Sequence, residues 1–347
     1  MSDSPLFASA RVITKPLPKP VCVVGLPRSG SSFLSDILSQ TRDYFVFDDL
    51  YLRRKAYGLG LTGPLDDDQL AVLVKFLGWQ VRARIRFGSF QSTATNLTWG
   101  DVDEMDRALM KTFVGRAIRW DELLEEWLGR LALHHDATRW GFKAPQDFMH
   151  MQDYSARFPG MKYIYLHRDP RSVLASTKFV TGGDGDRWHY HPIVYAKYWA
   201  MADQQVEDVM PSMPGQILAV GFEELVSDLQ GTAERLARFL GTEVGQVGRT
   251  GKNSSFPNAG KRRDLTPTEQ NLCERIAGAA MQRRGYARSG AKMRLRDMPD
   301  LALTTGRFVT SQLWRVVKNP SARHSVRNYL SHLARSTPKS RAARVET

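Results

Sequence analysis

Residues 21–32 read Val-Cys-Val-Val-Gly-Leu-Pro-Arg-Ser-Gly-Ser-Ser, and Phe33-Leu34-Ser35-Asp36-Ile37-Leu38 follows directly. Val21–Val24 is an unbroken apolar run, as expected of a strand buried on both faces of a parallel sheet. Gly25 ends the run. Beyond the loop, Phe33, Leu34, Ile37 and Leu38 recur at helical spacing. The order is therefore strand, glycine-bearing loop, helix. Such a loop turns several backbone N–H groups toward one spot at the positive end of a helix dipole, which makes an anion site whose usual occupant is phosphate. The spacing of Gly25 and Gly30 is that of a Walker A loop, but Ser31 stands where that motif has its lysine. The strong cation is Arg28, inside the loop.

Working outward, residues 161–168 and 215–222 have the same strand character, and 139–144 is a weaker candidate. Helical periodicity runs through 66–87, 120–135, 194–210 and 231–241, between these strands. The interleaving predicts an α/β fold: a three-layer sandwich with a central, mainly parallel sheet and a P-loop-like strand–loop–helix. Two stretches, 88–105 and 181–192, read as loops long enough to act as lids. Segment 306–318 is loosely amphipathic. Segment 323–335 is cleanly so, with Val326, Tyr329, Leu330 and Leu333 on one face.

The 347 residues are 42% hydrophobic and 24% charged, the profile of a globular chain. No window approaches the roughly 18 apolar residues of a membrane span, and the first 20 residues lack a signal-peptide core. Two cysteines, Cys22 and Cys273, form neither a disulfide framework nor a cysteine zinc site. A cytoplasmic, reduced chain is expected, peripheral to the membrane at most. The formal charge of +13 is unevenly placed. From Arg288 to the end there are 13 basic and 3 acidic residues, a net of +10, whereas residues 1–287 net only +3. That distribution argues against a nucleic-acid-binding body and sets a basic, partly helical C-terminal extension (289–347) apart from the domain at 1–288.

The loop residues Pro27, Arg28, Ser29, Gly30, Ser31 and Ser32 resemble the 5′-phosphosulfate loop, P-[KR]-[ST]-G-[ST]-[ST], of the sulfotransferases that use 3′-phosphoadenosine-5′-phosphosulfate (PAPS). A second motif of that family, an apolar strand ending in Arg with a Ser eight residues on, is matched by Arg168 and Ser176 in YIYLHRDPRSVLAS (163–176). The resemblance implies that these two hold the 3′-phosphate. Three further segments are similar. GFKAPQ (141–146) implies Lys143 beside the transferred group, where it and Arg28 are the catalytic cations expected to meet the charge on the departing oxygen. GFEELVSDLQGTAERLARFLG (221–241) is similar to the family's tyrosine-bearing segment and its following helix, with Phe222 where the family has a tyrosine near adenine. NSSFPNAGKRR (253–263) implies that Ser255, Lys261 or Arg262 closes over the nucleotide. The resemblance spans about residues 18–285 and implies in-line transfer of a sulfuryl group from PAPS, leaving 3′,5′-ADP. No metal is implied.

An acceptor hydroxyl or amine needs a base. The branch acting on small molecules has a histidine two residues after the lysine; here that position is Pro145. The chain is more similar to the tyrosylprotein and bacterial branch, whose glutamate corresponds to Asp48 or Asp49. Asp49 is the first choice and Asp48 the second, with the loop histidines His189 and His191 as the alternative, since imidazole is suited to proton transfer near neutral pH. An atypical P-loop kinase, with Asp169 as the strand-end carboxylate, and a nucleotide-binding module without turnover are the competing readings. The acceptor the resemblance implies is a glycan, a lipid or a small molecule. The basic extension suits an anionic membrane surface, where each basic residue attracts with about 1 kcal/mol, or self-association.

Overall fold

The computed structural model describes residues 20–87, 97–179, 189–248 and 264–318. Ser255, Lys261, Arg262, most of the 181–192 loop and the amphipathic stretch at 323–335 lie outside the described residues. In chain order the elements are β1 (Val21–Gly25), α1 (Ser31–Leu38), β2 (Tyr44–Phe47), α2 (Leu52–Gly58), α3 (Asp67–Phe87), α4 (Trp99–Phe113), α5 (Trp120–His134) and β3 (Arg139–Lys143). They continue as α6 (Met151–Arg157), β4 (Lys162–His167), α7 (Pro170–Lys178), α8 (Pro192–Val209), β5 (Ile217–Gly221), α9 (Phe222–Ser227), α10 (Leu229–Leu240), α11 (Pro267–Arg283) and α12 (Met298–Lys318).

Two compact units are built from interleaved stretches of sequence. The first comprises Met1–Gly25, Gly30–Leu166 and Ser212–Asn253; the second comprises Leu26–Ser29, His167–Pro211 and Ser254–Thr347. The second unit takes in residues on both sides of the 288/289 boundary expected from composition.

The first unit carries a five-stranded sheet in the order β2-β3-β1-β4-β5. The pairs β2–β3, β3–β1 and β1–β4 are parallel, with Val23 opposite both Lys143 and Ile164, and Phe47 opposite Phe142. All five residues of β1 are buried, which is why its sequence shows no polar alternation. The α/β fold is thus as expected, with strand β2 added at an edge. One expectation needs correcting. Residues 88–105 do not form a continuous loop, because α4 begins at Trp99. The Thr98 hydroxyl accepts from the Asp101 N–H at 3.2 Å and the Asp101 carboxylate accepts from the Thr98 N–H at 2.7 Å, a reciprocal cap that satisfies two donors of the first turn.

The second unit is helical. Its α8 and α11 are tied through Asp203, a fully buried carboxylate that takes ion pairs from Arg283, at 2.8 Å, and from Arg284. Burying that charge is tolerable only because both guanidinium groups meet it. The helical extension expected at the C-terminus is present as α12. It rests on the 189–191 segment, where Phe308 lies against the His191 ring and Ser311 meets His189 at 3.1 Å.

Candidate active site

The loop after β1 turns on two glycines. A side chain at Gly25 would meet the Leu166 carbonyl oxygen of the neighbouring strand at 2.4 Å. Gly30 has φ 94° and caps α1, and a Cβ there would lie 2.3 Å from the Phe222 ring. Only glycine provides both the left-handed backbone and the missing volume. No side chain caps α1 and no acidic residue lies in its first turn, so the positive end of the dipole is left for an external anion. Phe222, read from the sequence as the residue near adenine, is buried with its ring against Gly30.

In the first unit, three strand ends bring together the residues singled out there. Ser31 and Ser32 open α1 just after the loop that follows β1, Asp48 and Asp49 follow β2, and Lys143 closes β3. Carboxyl ends of parallel strands are where open α/β sheets place their ligands. The Lys143 ammonium donates to Ser32 Oγ at 2.7 Å and forms ion pairs with Asp48 at 2.7 Å and Asp49 at 3.0 Å. Asp48 is buried, and that burial pushes its carboxyl up to about 6, against the pull of Lys143. The Asp49 side chain keeps 32% of its exposure and accepts from the Tyr51 hydroxyl at 3.0 Å. Of the two carboxylates, Asp49 is the one that meets solvent.

Asp49 sits at φ 54°, a left-handed conformation that costs a non-glycine residue about 1–2 kcal/mol. Arg84, from α3, holds the turn in place. Its guanidinium donates to the main-chain carbonyls of Asp48 and Asp49, the latter at 3.1 Å, and to the Gln80 side chain at 2.9 Å, and lies 4.4 Å from the Phe47 ring centroid. Sequence reading passed over Arg84 because an arginine in an amphipathic helix reads as a solvated charge. The available signal was Gln80, four residues earlier on the same face.

In the second unit, a cluster forms around Arg28. This residue also adopts a left-handed backbone, at φ 73°. Its Nε donates to Ser176 Oγ at 3.1 Å, and its carbonyl accepts from Arg168 at 3.2 Å. Arg168 is itself buried, and its own carbonyl accepts from the Trp199 indole at 2.9 Å. The loop arginine and the two residues assigned to the 3′-phosphate thus share one cluster. Ser29 Oγ is buried with no hydrogen-bond partner among the described residues, a polar atom suited to an incoming ligand.

Asp169 caps α7 by accepting from the Arg171 N–H at 2.8 Å and is paired with the Arg171 guanidinium. These contacts occupy the carboxylate that a magnesium-dependent kinase would need. His189 and His191 are engaged with α12 through Ser311 and Thr305, each at 3.1 Å, and burial pulls the His191 imidazole downward.

Residues 20–246 match the model of the sulfotransferase family, which covers more than half of the sequence. The chain belongs to the sulfotransferase family. No curated protein matches it. Among solved structures, this sulfotransferase is similar to the sulfotransferase domain from the curacin biosynthetic pathway, at 18% identity over 79% of this chain and 99% of that one, with a TM-score of 0.47. It is likewise similar to the sulfotransferase domain of the Synechococcus PCC 7002 olefin synthase, at 18% identity over 84% and 96%, with a TM-score of 0.45. A third is the sulfotransferase from Alicyclobacillus acidocaldarius, at 16% identity over 76% and 93%, with a TM-score of 0.41.

Proposed function

We propose that this sulfotransferase takes its sulfuryl group from PAPS and delivers it to a hydroxyl or amine of a glycan, lipid or small-molecule acceptor, with Asp49 as the base. The observation that carries this reading is the Lys143 ammonium, fastened between Ser32 and two carboxylates at the strand ends of the first unit. PAPS supplies a sulfur bonded to a good leaving oxygen. Asp49 receives the acceptor's proton as the acceptor oxygen or nitrogen bonds to sulfur. The sulfur–bridging-oxygen bond breaks, its electron pair stays on the departing phosphate, and Lys143 with the N–H groups of Ser31 and Ser32 meets that charge. Donors of this kind are worth about 3 kcal/mol of barrier each. Asp48, buried beneath the lysine, positions the ammonium and is shielded from any acceptor.

Arg168 and Ser176 take the 3′-phosphate as the resemblance implies, and Arg28, placed by the loop motif at the 5′-phosphosulfate, joins them through its contact with Ser176. Two guanidinium groups suit a phosphate that presents several oxygens. The test is titration calorimetry of 3′,5′-ADP against 5′-AMP, followed by transfer of labelled sulfate from PAPS into an acceptor panel. A clear preference for the bisphosphate and labelled product support the reading. Equal affinity for the two nucleotides would overturn it.

A further inference from the structure

Helix α12 is packed on one side only. Toward the body of its unit it presents Thr305, Phe308 and Ser311 to the 189–191 segment, and Thr304 is buried. The opposite side of a helix begins about half a turn away, and there Leu303, Val309, Leu313, Trp314 and Val317 are exposed, the last three at 62%, 61% and 71%. Among the described residues no charged side chain interrupts this face. Arg307 and Lys318 stand on one flank of it, and the Lys318 ammonium lies 4.5 Å from the centre of the Trp314 ring. Solvated helix faces are ordinarily polar; a mostly apolar face, broken only by Gly306 and Thr310 and with basic residues on one flank, has the composition of a helix lying in a membrane interface.

Charge decides between the occupants such a face would accept. Two of the three acidic residues from Arg288 onward are engaged within the unit: Asp300 pairs with Lys178 at 2.9 Å and Asp297 accepts from Thr268 at 2.8 Å. Residues 288–347 carry a net charge of +10. A second copy would bring the same positive charge to the contact and be repelled. An anionic surface would be attracted. No helix of the described residues is long and apolar enough to cross a membrane, so this one would lie on the surface.

We propose that the exposed face of α12 docks this sulfotransferase on an anionic lipid bilayer, with Leu313, Trp314 and Val317 entering the headgroup region.

The experiment is sedimentation of the full chain with phosphatidylcholine vesicles, with and without phosphatidylglycerol. Wild type should partition to the anionic vesicles at least about tenfold better than to the neutral ones, and salt raised from about 0.05 M to about 0.5 M should release most of it. The double variant Leu313→Glu/Val317→Glu should lose about tenfold or more in partitioning while keeping the wild-type melting temperature. A second variant, Trp314→Ala, removes apolar surface without adding charge and should weaken binding in the same direction. Absence of binding to anionic vesicles would overturn the proposal, as would partitioning that both variants leave unchanged. So would a dimer in sedimentation equilibrium that Leu313→Glu/Val317→Glu dissociates, combined with no vesicle binding, since the face would then belong to self-association.

Discussion

Arg28 and Ser176 are 148 residues apart in sequence and meet at 3.1 Å through the guanidinium Nε and the hydroxyl. The Arg28 carbonyl in turn accepts from the Arg168 guanidinium at 3.2 Å, so the loop arginine is tied to both residues of the second motif. Arg28→Ala should weaken 3′,5′-ADP binding by about ten- to a hundredfold, since a charge-assisted contact to a ligand is worth roughly 1.5–3 kcal/mol. Binding of 5′-AMP should change far less. Calorimetry on the two ligands gives the comparison, and equal losses would place Arg28 elsewhere on the donor.

Asp49→Asn keeps the shape and the left-handed tolerance of the residue but removes its basicity. Turnover should fall by about 10²–10⁴-fold while nucleotide affinity stays close to wild type. Steady-state kinetics with a calorimetric control separates the two. Undiminished turnover would remove Asp49 from the reaction.

Asp48 carries its charge only above about pH 6, because burial raises its carboxyl. The Lys143–Asp48 ion pair is complete above that point and incomplete below it, so turnover should rise through about pH 6. In Asp48→Asn that limb should disappear or move. A pH–rate profile of kcat for both proteins decides it.

Arg84→Lys retains a positive charge but lacks the planar fork that reaches two carbonyls at once. The variant should lose about 2 kcal/mol of stability, the cost of unmade buried hydrogen bonds, and should lower kcat more than it raises KM. A loss of stability with unchanged kcat would mean that the Asp48–Asp49 turn keeps its geometry without Arg84.

Asp147 is buried and makes no ion pair among the described residues. It accepts from the Tyr154 hydroxyl at 2.7 Å, and desolvation pushes it up to about 6. Because the folded chain holds this proton more tightly than the unfolded one, stability is present at acidic pH and declines as pH rises between about 4 and 6. A shift of that size is worth about 3 kcal/mol. Asp147→Asn should therefore flatten the dependence and be the more stable protein at pH 7, as read by denaturant unfolding at several pH values.

Much of this architecture is legible in the sequence because burial writes it there. The run Val21–Val24 and the strands at 161–168 and 215–222 are continuous apolar segments, and the long helices repeat their apolar residues at the helical period. Strand β2 was less visible. Tyr44–Phe47 is four residues long at a sheet edge and runs straight into two aspartates, too short an apolar run to stand out as a strand. The start of α4 was hidden by Gly100 and by the polar lead-in, although Thr98 and Asp101 carry a capping pattern. Of the site, the loop and the pairs Arg168/Ser176 and Lys143/Asp49 were read from motif resemblance. What sequence does not encode locally is which side chains converge: the contact of Arg28 with Ser176 and the clasp of Arg84 are made by segments remote in the chain.

The interleaving of the two units has a practical and an evolutionary corollary. Each is assembled from three stretches, and the four residues Leu26–Ser29 are borrowed by one from the middle of the other. No single cut in the gene would yield either as a contiguous fragment, so neither can be exchanged by simple fusion. Diversification is left to point substitution and to changes in the connecting segments.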